Sequence, residues 1–226
     1  MPSDPKRLPA GVRLSDKLTF AQLTRFFPKE IVESCLIEAN KATKRVRELP
    51  NEFMAYYPIM LCLYREASQQ EVLRCMTDGL EWLYGLTDFK VTGKSGISQG
   101  RSRVGWEPLK AMFDRCAKPL AFGKPAVGCH YKGLLLTAID GSELEVDDCP
   151  ENDEFFGRPN NQNGTGAFPK ARAVGLVEVG TRAIFGLSVG KYSDSELKLA
   201  MDVIPRLSAG MLCLADRLFL LSLIHI

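Results

Sequence analysis

The sequence predicts a protein of the mixed α+β or α/β class, with a helical first part and a mixed sheet in the second part. Apolar residues recur at helical spacing in the first part, whereas continuous and alternating apolar runs typical of strands begin near Tyr131. The 226 residues, 46% of them hydrophobic and 25% charged, are ordinary for a globular chain of one large or two small domains. We therefore predict a helical domain over residues 1–125 and a sheet domain over residues 126–220.

Five helices are predicted in the first part. KLTFAQLTRFF, with Thr19 as its cap, precedes a helix that Pro28 begins and Pro50 ends. A third helix follows from about Asn51 to Tyr64, and Ser68 with Glu71 forms a capping box for a fourth, which reaches about Leu83. KVTGKSGISQGRSRVG, which contains four glycines, is interpreted as a basic linker, and WEPLKAMFDRCAKPL as the last helix.

The second part reads as strand, loop, hairpin, helix and strand. KGLLLTAID is a continuous apolar run of the kind found in strands buried on both faces, and ELEV predicts a separate short strand. A long loop rich in Gly, Pro, Asn and Asp follows, and then two strands that meet at Gly180 and Thr181. SDSELKLAMDVIPRLSAG predicts a helix capped near Ser193, with Leu197, Ala200, Met201 and Ile204 facing inward, and MLCLADR predicts a final buried strand.

Composition excludes several classes of protein. The longest apolar runs fall far short of a membrane span, and the N-terminus lacks the apolar core of a secretory signal, so we expect a cytosolic protein. Seven scattered cysteines without a C-x-x-C pair argue against a disulfide framework and a structural zinc site. Residues 1–133 have a net charge of +7 and residues 134–226 a net charge of −5, which suggests a polyanion-binding part beside a carboxylate-bearing part.

Asp140 and Asp216 each end an apolar run. An unpaired carboxylate is costly to bury, so it needs a partner, although a capped turn at the sheet surface would also satisfy it. If the last strand lies parallel to the first, the two carboxylates meet at one edge of the sheet and repel each other unless a cation lies between them. Oxygen ligands favour Mg²⁺ or Mn²⁺. A phosphatase of the haloacid dehalogenase type would need a second aspartate two residues after Asp140, where this chain has Ser142.

Several motifs, taken in order, resemble those of bacterial transposases. LSDKLTFAQLTRFFPKEIVE, PNEFMAYYPIMLCLYREASQQEVL and ISQGRSRVGWEPLKAMF resemble the helical N-terminal region of insertion-sequence transposases of the DDE class, in the "insertion sequence four" family. AIDGSELEVDDCPENDEFFGRPNN, GAFPKARAVGLVEVGT, SDSELKLA and LCLADRLF resemble the start of that family's ribonuclease-H-like catalytic domain. The resemblance covers nearly the whole chain.

The resemblance implies metal-assisted cleavage of DNA at transposon ends, followed by strand transfer. Asp140 and Asp216 would be the first two catalytic acids and would hold Mg²⁺ or Mn²⁺. The partners would be the inverted repeats and the target DNA, both double-stranded, and the active complex could be a homodimer. Bound phosphates would be contacted by basic residues, for which the candidates are Lys94, Arg101, Arg103 and Lys110, followed by Arg172 and Arg217.

The family's third acid is a glutamate in a Tyr-Arg-Glu-Lys pattern, and this pattern is absent here, since neither Glu178 nor Glu196 stands in one. The last six residues, LSLIHI, are what CTGTCTCTTATACACATC encodes and resemble a sequencing-library adaptor, so residues 221–226 are predicted to be an artefactual or truncated tail. An ordinary apolar strand end is the alternative. Two other readings of the chain are a non-catalytic DNA-binding fragment and a helical adaptor protein, but the adaptor leaves the basic segment and both aspartates unexplained.

Overall fold

A computed structural model of the chain describes residues 20–45, 49–84, 93–124, 126–161, 164–217 and 219. The chain divides into two compact units, residues 1–116 and 117–226. The predicted functional boundary after residue 125 stays a prediction. The predicted cap Thr19, the basic residue Lys90 and the predicted tail 221–226 lie outside the described residues.

The N-terminal unit is helical. Its helices are α1 (Phe20–Phe26), α2 (Lys29–Glu38), α3 (Asn51–Met54), α4 (Tyr57–Leu63), α5 (Gln69–Tyr84), α6 (Lys94–Val104) and α7 (Glu107–Cys116). They enclose one apolar core in which Leu36, Met54 and Met76 are completely buried. Two buried tyrosines keep their hydroxyls bonded, because Tyr56 donates to the carbonyl of Phe27 and Tyr57 donates to that of Gln69.

Two predicted helices are shorter or broken. The second ends at Glu38 instead of near Pro50, because Asn40 adopts a left-handed φ of 56° and the N–H of Lys41 bonds back to the carbonyl of Leu36. The third is divided into α3 and α4, since Pro58 in the first turn of α4 cannot donate to the preceding turn. The predicted cap of α5 is confirmed, with Ser68 Oγ accepting from the N–H of Glu71 at 3.2 Å.

The predicted basic linker is wrong from Lys94 onward, because residues 94–104 form α6. Ile97, Gly100 and Val104 give this helix a buried stripe despite its glycine content. Gly100 permits close packing on α3, since a Cβ atom there would lie 3.0 Å from Cε of the buried Met54. Gly93 and Gly105 lie at the two ends of the helix, and Gly105 has a φ of 71°.

The C-terminal unit combines one sheet with helices. Its strands are β1 (His130–Tyr131), β2 (Leu134–Glu145), β3 (Asn160–Asn161), β4 (Gly164–Thr165), β5 (Lys170–Glu178), β6 (Ile184–Lys191) and β7 (Met211–Leu214). Its helices are α8 (Pro150–Phe156) and α9 (Glu196–Val203), and a 3₁₀ turn covers Ile204–Arg206. β2 pairs antiparallel with β5, β5 pairs antiparallel with β6, and β7 pairs parallel with β2. Helices and a mixed sheet together confirm the predicted α+β class.

The predicted break after Asp140 is wrong. β2 continues through Gly141 and Ser142 to Glu145, because β5 offers partners along the whole length and pairs Lys170 with Glu145. The apolar part of β2 nevertheless ends at Ile139, after which the strand is mostly exposed. The predicted hairpin between β5 and β6 is confirmed, and Arg182 in its turn has a φ of 62°.

Two further predictions for this unit need correction. The predicted long loop contains α8 and the short β3–β4 pair, because Pro150 follows Cys149 as a suitable first helical residue. The cap of α9 is Ser195, and its buried residues are Leu199, Ala200 and Val203. Met201, predicted to face inward, is 52% exposed, since it lies on the opposite side of the helix from Leu199 and Val203. Among the described residues, no helix is both long and apolar enough to cross a membrane.

Candidate functional site

Asp140 lies in the middle of β2, at the point where the strand passes from buried to exposed. Ile139, its neighbour, is buried, whereas Asp140 itself is exposed. Its Oδ1 accepts the backbone N–H of Gly141 at 2.8 Å. The carboxylate is therefore not buried, so the cost of burying it gives no reason here for a charged partner.

The parallel pairing of β2 with β7 sets the position of Asp216. The register runs from Leu135 opposite Met211 to Ala138 opposite Leu214. β7 ends at Leu214, so Asp216 and Asp140 each lie two residues beyond the last paired position on their own segments. Neighbouring strands lie about 4.8 Å apart, a separation that one cation between two carboxylates can span. Asp216 is exposed and follows the end of β7 by two residues.

Gly141 carries a contact that sequence reasoning did not find. A Cβ atom at this position would lie 2.7 Å from Oε1 and 2.8 Å from Cγ of Glu196, the first residue of α9. The glycine thus allows a carboxylate from α9 to pack against β2 next to Asp140. The order of residues along the chain gives no signal for this contact, because it depends on where α9 crosses the sheet.

The donor set is suited to a hard divalent cation but is small. Asp140 and Asp216 supply carboxylate oxygens, the ligands that Mg²⁺ and Mn²⁺ prefer, and both side chains are accessible. Within the part of the chain that the structure describes, no group of three or more His, Cys, Asp or Glu side chains is placed to hold a metal ion. Water or substrate oxygens would have to complete the coordination of a cation held by these two residues.

Glu178 is completely buried and lies away from the exposed end of β2, opposite Thr137 in the β2–β5 register. Its Oε2 accepts the backbone N–H of Leu120 at 2.6 Å, and its Oε1 accepts that of Ala121 at 3.2 Å. These bonds satisfy the carboxylate within the protein. Glu178 therefore anchors residues 120–121 to the sheet.

The basic residues predicted to contact DNA differ in their surroundings. Lys94 and Arg101 are exposed on α6, and Lys110 is exposed on α7, where its Nζ is 2.6 Å from Oδ2 of Asp114. Arg103 is half-buried, and its Nη2 donates to the carbonyl of Leu49 at 2.8 Å. The guanidinium of Arg103 is thus bonded to the backbone of its own unit, whereas Lys94, Arg101 and Lys110 are exposed.

The two basic candidates of the C-terminal unit also differ. Arg172 Nη2 bonds Oε1 of Glu143 at 2.9 Å, and its guanidinium lies 5.4 Å from the centre of the Tyr192 ring. Its Nε is buried and has no hydrogen-bond partner. Arg217 is exposed and directly follows Asp216. Arg172 is therefore fixed in the sheet, whereas Arg217 lies beside the candidate carboxylates.

Comparison with known proteins shows what the chain is similar to. Residues 17–114 match the family model described as the N-terminal region of insertion element 4 transposases. The N-terminal unit is thus similar to that region of these transposases. This finding confirms the resemblance noted from the sequence, and it covers every described helix of the N-terminal unit except the last residues of α7.

Two curated relatives extend the similarity into the C-terminal unit. The chain is 27% identical over 192 residues to "Transposase InsG for insertion sequence element IS4" of Escherichia coli K12, which covers 85% of this chain and 42% of that protein. It is 26% identical over 193 residues to "Putative transposase InsZ" of the same strain, which covers 85% of this chain and 62% of that protein. The chain thus spans less than two thirds of the length of these relatives.

Proposed function

We propose that this chain acts as part of a DNA transposase, in which Asp140 and Asp216 bind a catalytic divalent cation, Mg²⁺ or Mn²⁺. The observation that supports the proposal is the parallel pairing of β2 and β7, because Asp140 and Asp216 each follow the last pair, Ala138 with Leu214, by two residues in a chain similar to transposases. A bound cation would activate a water or a 3′-hydroxyl and stabilise the leaving oxygen in phosphodiester cleavage.

The topology of the C-terminal unit supports a ribonuclease-H-like assignment. Laterally, β6, β5, β2 and β7 are successive neighbours, with antiparallel pairs on one side of β2 and a parallel pair on the other. α9 lies between β6 and β7 in the chain and packs on β5 and β6. We propose this fold because the crossover through α9 leads to β7, which lies parallel to β2. The ends of two neighbouring parallel strands lie at the same edge of a sheet.

The roles of the chain's own residues follow from their positions. The two carboxylates are accessible, so they can hold a cation without a penalty for desolvation of the kind that buried acids meet. Arg217, next to Asp216, would add positive charge where the phosphate approaches. Exposed Lys94, Arg101 and Lys110 of the N-terminal unit would contact phosphates of double-stranded DNA.

A direct test is the binding of Mn²⁺ to the whole chain, followed by electron paramagnetic resonance. We expect Asp140→Asn and Asp216→Asn each to lower Mn²⁺ affinity by at least about tenfold, because ligand charge and number set the affinity of hard-cation sites. Asp147→Asn is the matched control, since Asp147 is an exposed aspartate just beyond the end of β2. Equal Mn²⁺ affinity in all three variants would refute the assignment of the two aspartates.

DNA binding without cleavage is a second candidate function. It is favoured by the finding that the described residues contain no cluster of three acidic or other ligating side chains. Incubation of the whole chain with supercoiled plasmid and Mn²⁺ separates the two candidates. Nicking that is lost in Asp140→Asn supports the enzyme, whereas binding to the plasmid with no nicking supports the second candidate.

A further inference from the structure

A basic pocket lies in the N-terminal unit, at the loop that follows α2. Its volume is about 340 Å³. It is lined by four cationic and four uncharged residues: Lys41, Lys44, Arg45 and Arg103, with Asn40, Ala42, Thr43 and Asn51. Because none of the described residues that line it is acidic, the pocket presents a concentrated positive charge in a concave surface.

The loop backbone is held in place by its own hydrogen bonds. The carboxylate of Glu52 accepts both the N–H of Thr43 at 2.9 Å and its hydroxyl at 2.5 Å, and Thr43 Oγ1 in turn accepts the N–H of Asn51 at 2.8 Å. The amide of Asn51 donates to the carbonyl of Lys41 at 2.6 Å. Asn40 fixes the start of the loop with a φ of 56°. The pocket is therefore organised before any ligand binds, which lowers the entropic cost of binding.

Arg103 braces the pocket from α6. Its Nε lies 3.3 Å from Oδ1 of Asn51, and its Nη2 bonds the carbonyl of Leu49. Both of these acceptors are uncharged. This bracing gives the residue a positioning role, and a different one from the direct DNA contact predicted from the sequence.

The loop cations are available to an anion. Lys44 and Arg45 are exposed, and Lys44 Nζ has only the amide oxygen of Asn40 nearby, at 3.4 Å. Within the described parts of the chain, neither Lys41 nor Arg45 forms an ion pair. Lys41 has one acidic neighbour, since its Nζ and the carboxylate of Glu107 both lie close to Gly105. The four cations that line the pocket outnumber the two neighbouring carboxylates, those of Glu107 and Glu52.

We propose that this pocket binds a backbone phosphate of duplex DNA, with Lys44 and Arg45 as the contacting residues and Thr43, Asn51 and Arg103 as positioning residues. The proposal rests on the proposed DNA-binding function and names a site for it. A fixed, concave group of Lys and Arg side chains with adjacent amides suits a tetrahedral anion, and such contacts supply most of the sequence-independent affinity for DNA. The pocket would provide a contact to DNA that is separate from those of the exposed residues Lys94 and Arg101 of α6.

The experiment measures binding of the whole chain to a fluorescent duplex of arbitrary sequence, by anisotropy, from 50 to 200 mM salt. We expect K44Q/R45Q to weaken binding and to flatten the slope of log K against log salt by roughly one, since about 0.9 is lost per phosphate contact and the pocket holds one phosphate. The matched control is R25Q/R65Q, which removes the same charge from two exposed arginines of the same unit. A slope in K44Q/R45Q equal to that of the control would overturn the proposal.

A second variant separates a built pocket from general positive charge. Thr43→Val keeps the net charge and nearly the same shape but removes the hydroxyl that links Glu52 to Asn51. We expect weaker binding and a flatter salt slope in Thr43→Val, and wild-type binding in this variant would also overturn the proposal. If the unsubstituted chain binds no duplex at all, the proposed DNA-binding function fails along with the pocket, whereas tight binding unaffected by the pocket variants removes the pocket alone.

Discussion

Replacing Glu178 by Gln tests whether a buried carboxylate, bonded only to backbone, holds residues 120–121 on the sheet. In the native protein, Oε2 of Glu178 accepts the N–H groups of both Leu120 and Ala121, and Oε1 also accepts that of Ala121. The amide of Gln has one oxygen and one NH₂ group, so an oxygen that keeps the position of Oε2 leaves the NH₂ group directed at the N–H of Ala121, and the bonds that remain are to an uncharged acceptor. The substitution changes little in volume, so its effect isolates the hydrogen bonds.

The size of the effect follows from this loss. A hydrogen bond to a charged group contributes about 1.5–3 kcal/mol to stability, and a buried donor left without a partner costs about 1–3 kcal/mol. Glu178 is completely buried, so water cannot replace the lost bond without opening the structure. We therefore expect Glu178→Gln to lower the free energy of unfolding of the C-terminal unit by about 2 kcal/mol.

The assay is amide hydrogen exchange of the whole chain by nuclear magnetic resonance, read at Leu120 and Ala121. A loss of about 2 kcal/mol corresponds to exchange about 30-fold faster where local opening limits protection. Glu145→Gln is the matched control, because it removes the same charge from an exposed position of the neighbouring strand, and it should stay within about 0.5 kcal/mol of the native protein. Unchanged exchange at both amides in Glu178→Gln would refute the anchoring role.

The remaining predictions concern the N-terminal unit. Gly100→Val should lower the free energy of unfolding of this unit by roughly 1–3 kcal/mol in urea denaturation, because a Cβ atom there would press on the buried Met54. The control Ser98→Val, at an exposed position of the same helix, should change this free energy little. Acid should destabilise the same unit through Glu52: burial alone would raise the pKa of its carboxyl, but hydrogen bonds from Thr43 outweigh burial and hold the pKa below its usual 4.5. A carboxyl whose pKa is lower in the folded state than in the unfolded state stabilises the protein at pH values above its unfolded pKa. That contribution is lost as the pH falls from about 4.5 through the folded pKa. Between pH 7 and pH 3, the urea midpoint should therefore fall less in Glu52→Gln than in the native chain. A midpoint in the Gln variant that falls as steeply as in the native chain would contradict this reasoning.

The elements that local pattern specifies were predicted well from the sequence. Ser68 caps α5 as its spacing with Glu71 predicts, and the order strand, hairpin, helix, strand in the C-terminal unit is present. The sequence analysis also considered a last strand parallel to the first, and β7 does pair parallel with β2. These features depend on capping and periodicity, which act within a few residues or along one element.

The errors arose where tertiary contacts override local preference. Gly100 reads as a linker residue until Met54 is seen packed against it, and Gly141 reads as a turn until Glu196 is seen over it. In both places the glycine is required by a neighbour distant in the chain, and backbone flexibility is not the reason for it. The basic pocket was missed for a related reason, since KATKR was interpreted as the end of a helix and Asn40 ends that helix earlier.

The basic residues show how far a functional site can be read from charge alone. Arg101 and Arg103 look equivalent in the sequence, yet Arg101 is exposed and Arg103 is bonded to Leu49 and Asn51. The candidate metal ligands were predicted from their positions at the ends of two apolar runs. The role of each arginine could not be predicted in this way, because it depends on which acceptors the folded chain places near it. The metal and DNA assignments remain proposals that the experiments above test.

The parallel pairing of β2 with β7 also determines the order in which the sheet can form during synthesis. Leu135 pairs with Met211, so one edge of the central strand waits for a partner that is translated 76 residues later. At about 5–20 residues per second, that interval lasts on the order of 4–15 seconds. The antiparallel pairs of β2 with β5 and of β5 with β6 can form first. The other edge of β2, which is partly apolar, then stays unpaired on the nascent chain throughout this interval. Correct completion of the sheet thus depends, for several seconds of each synthesis, on the edge of β2 not pairing with another chain.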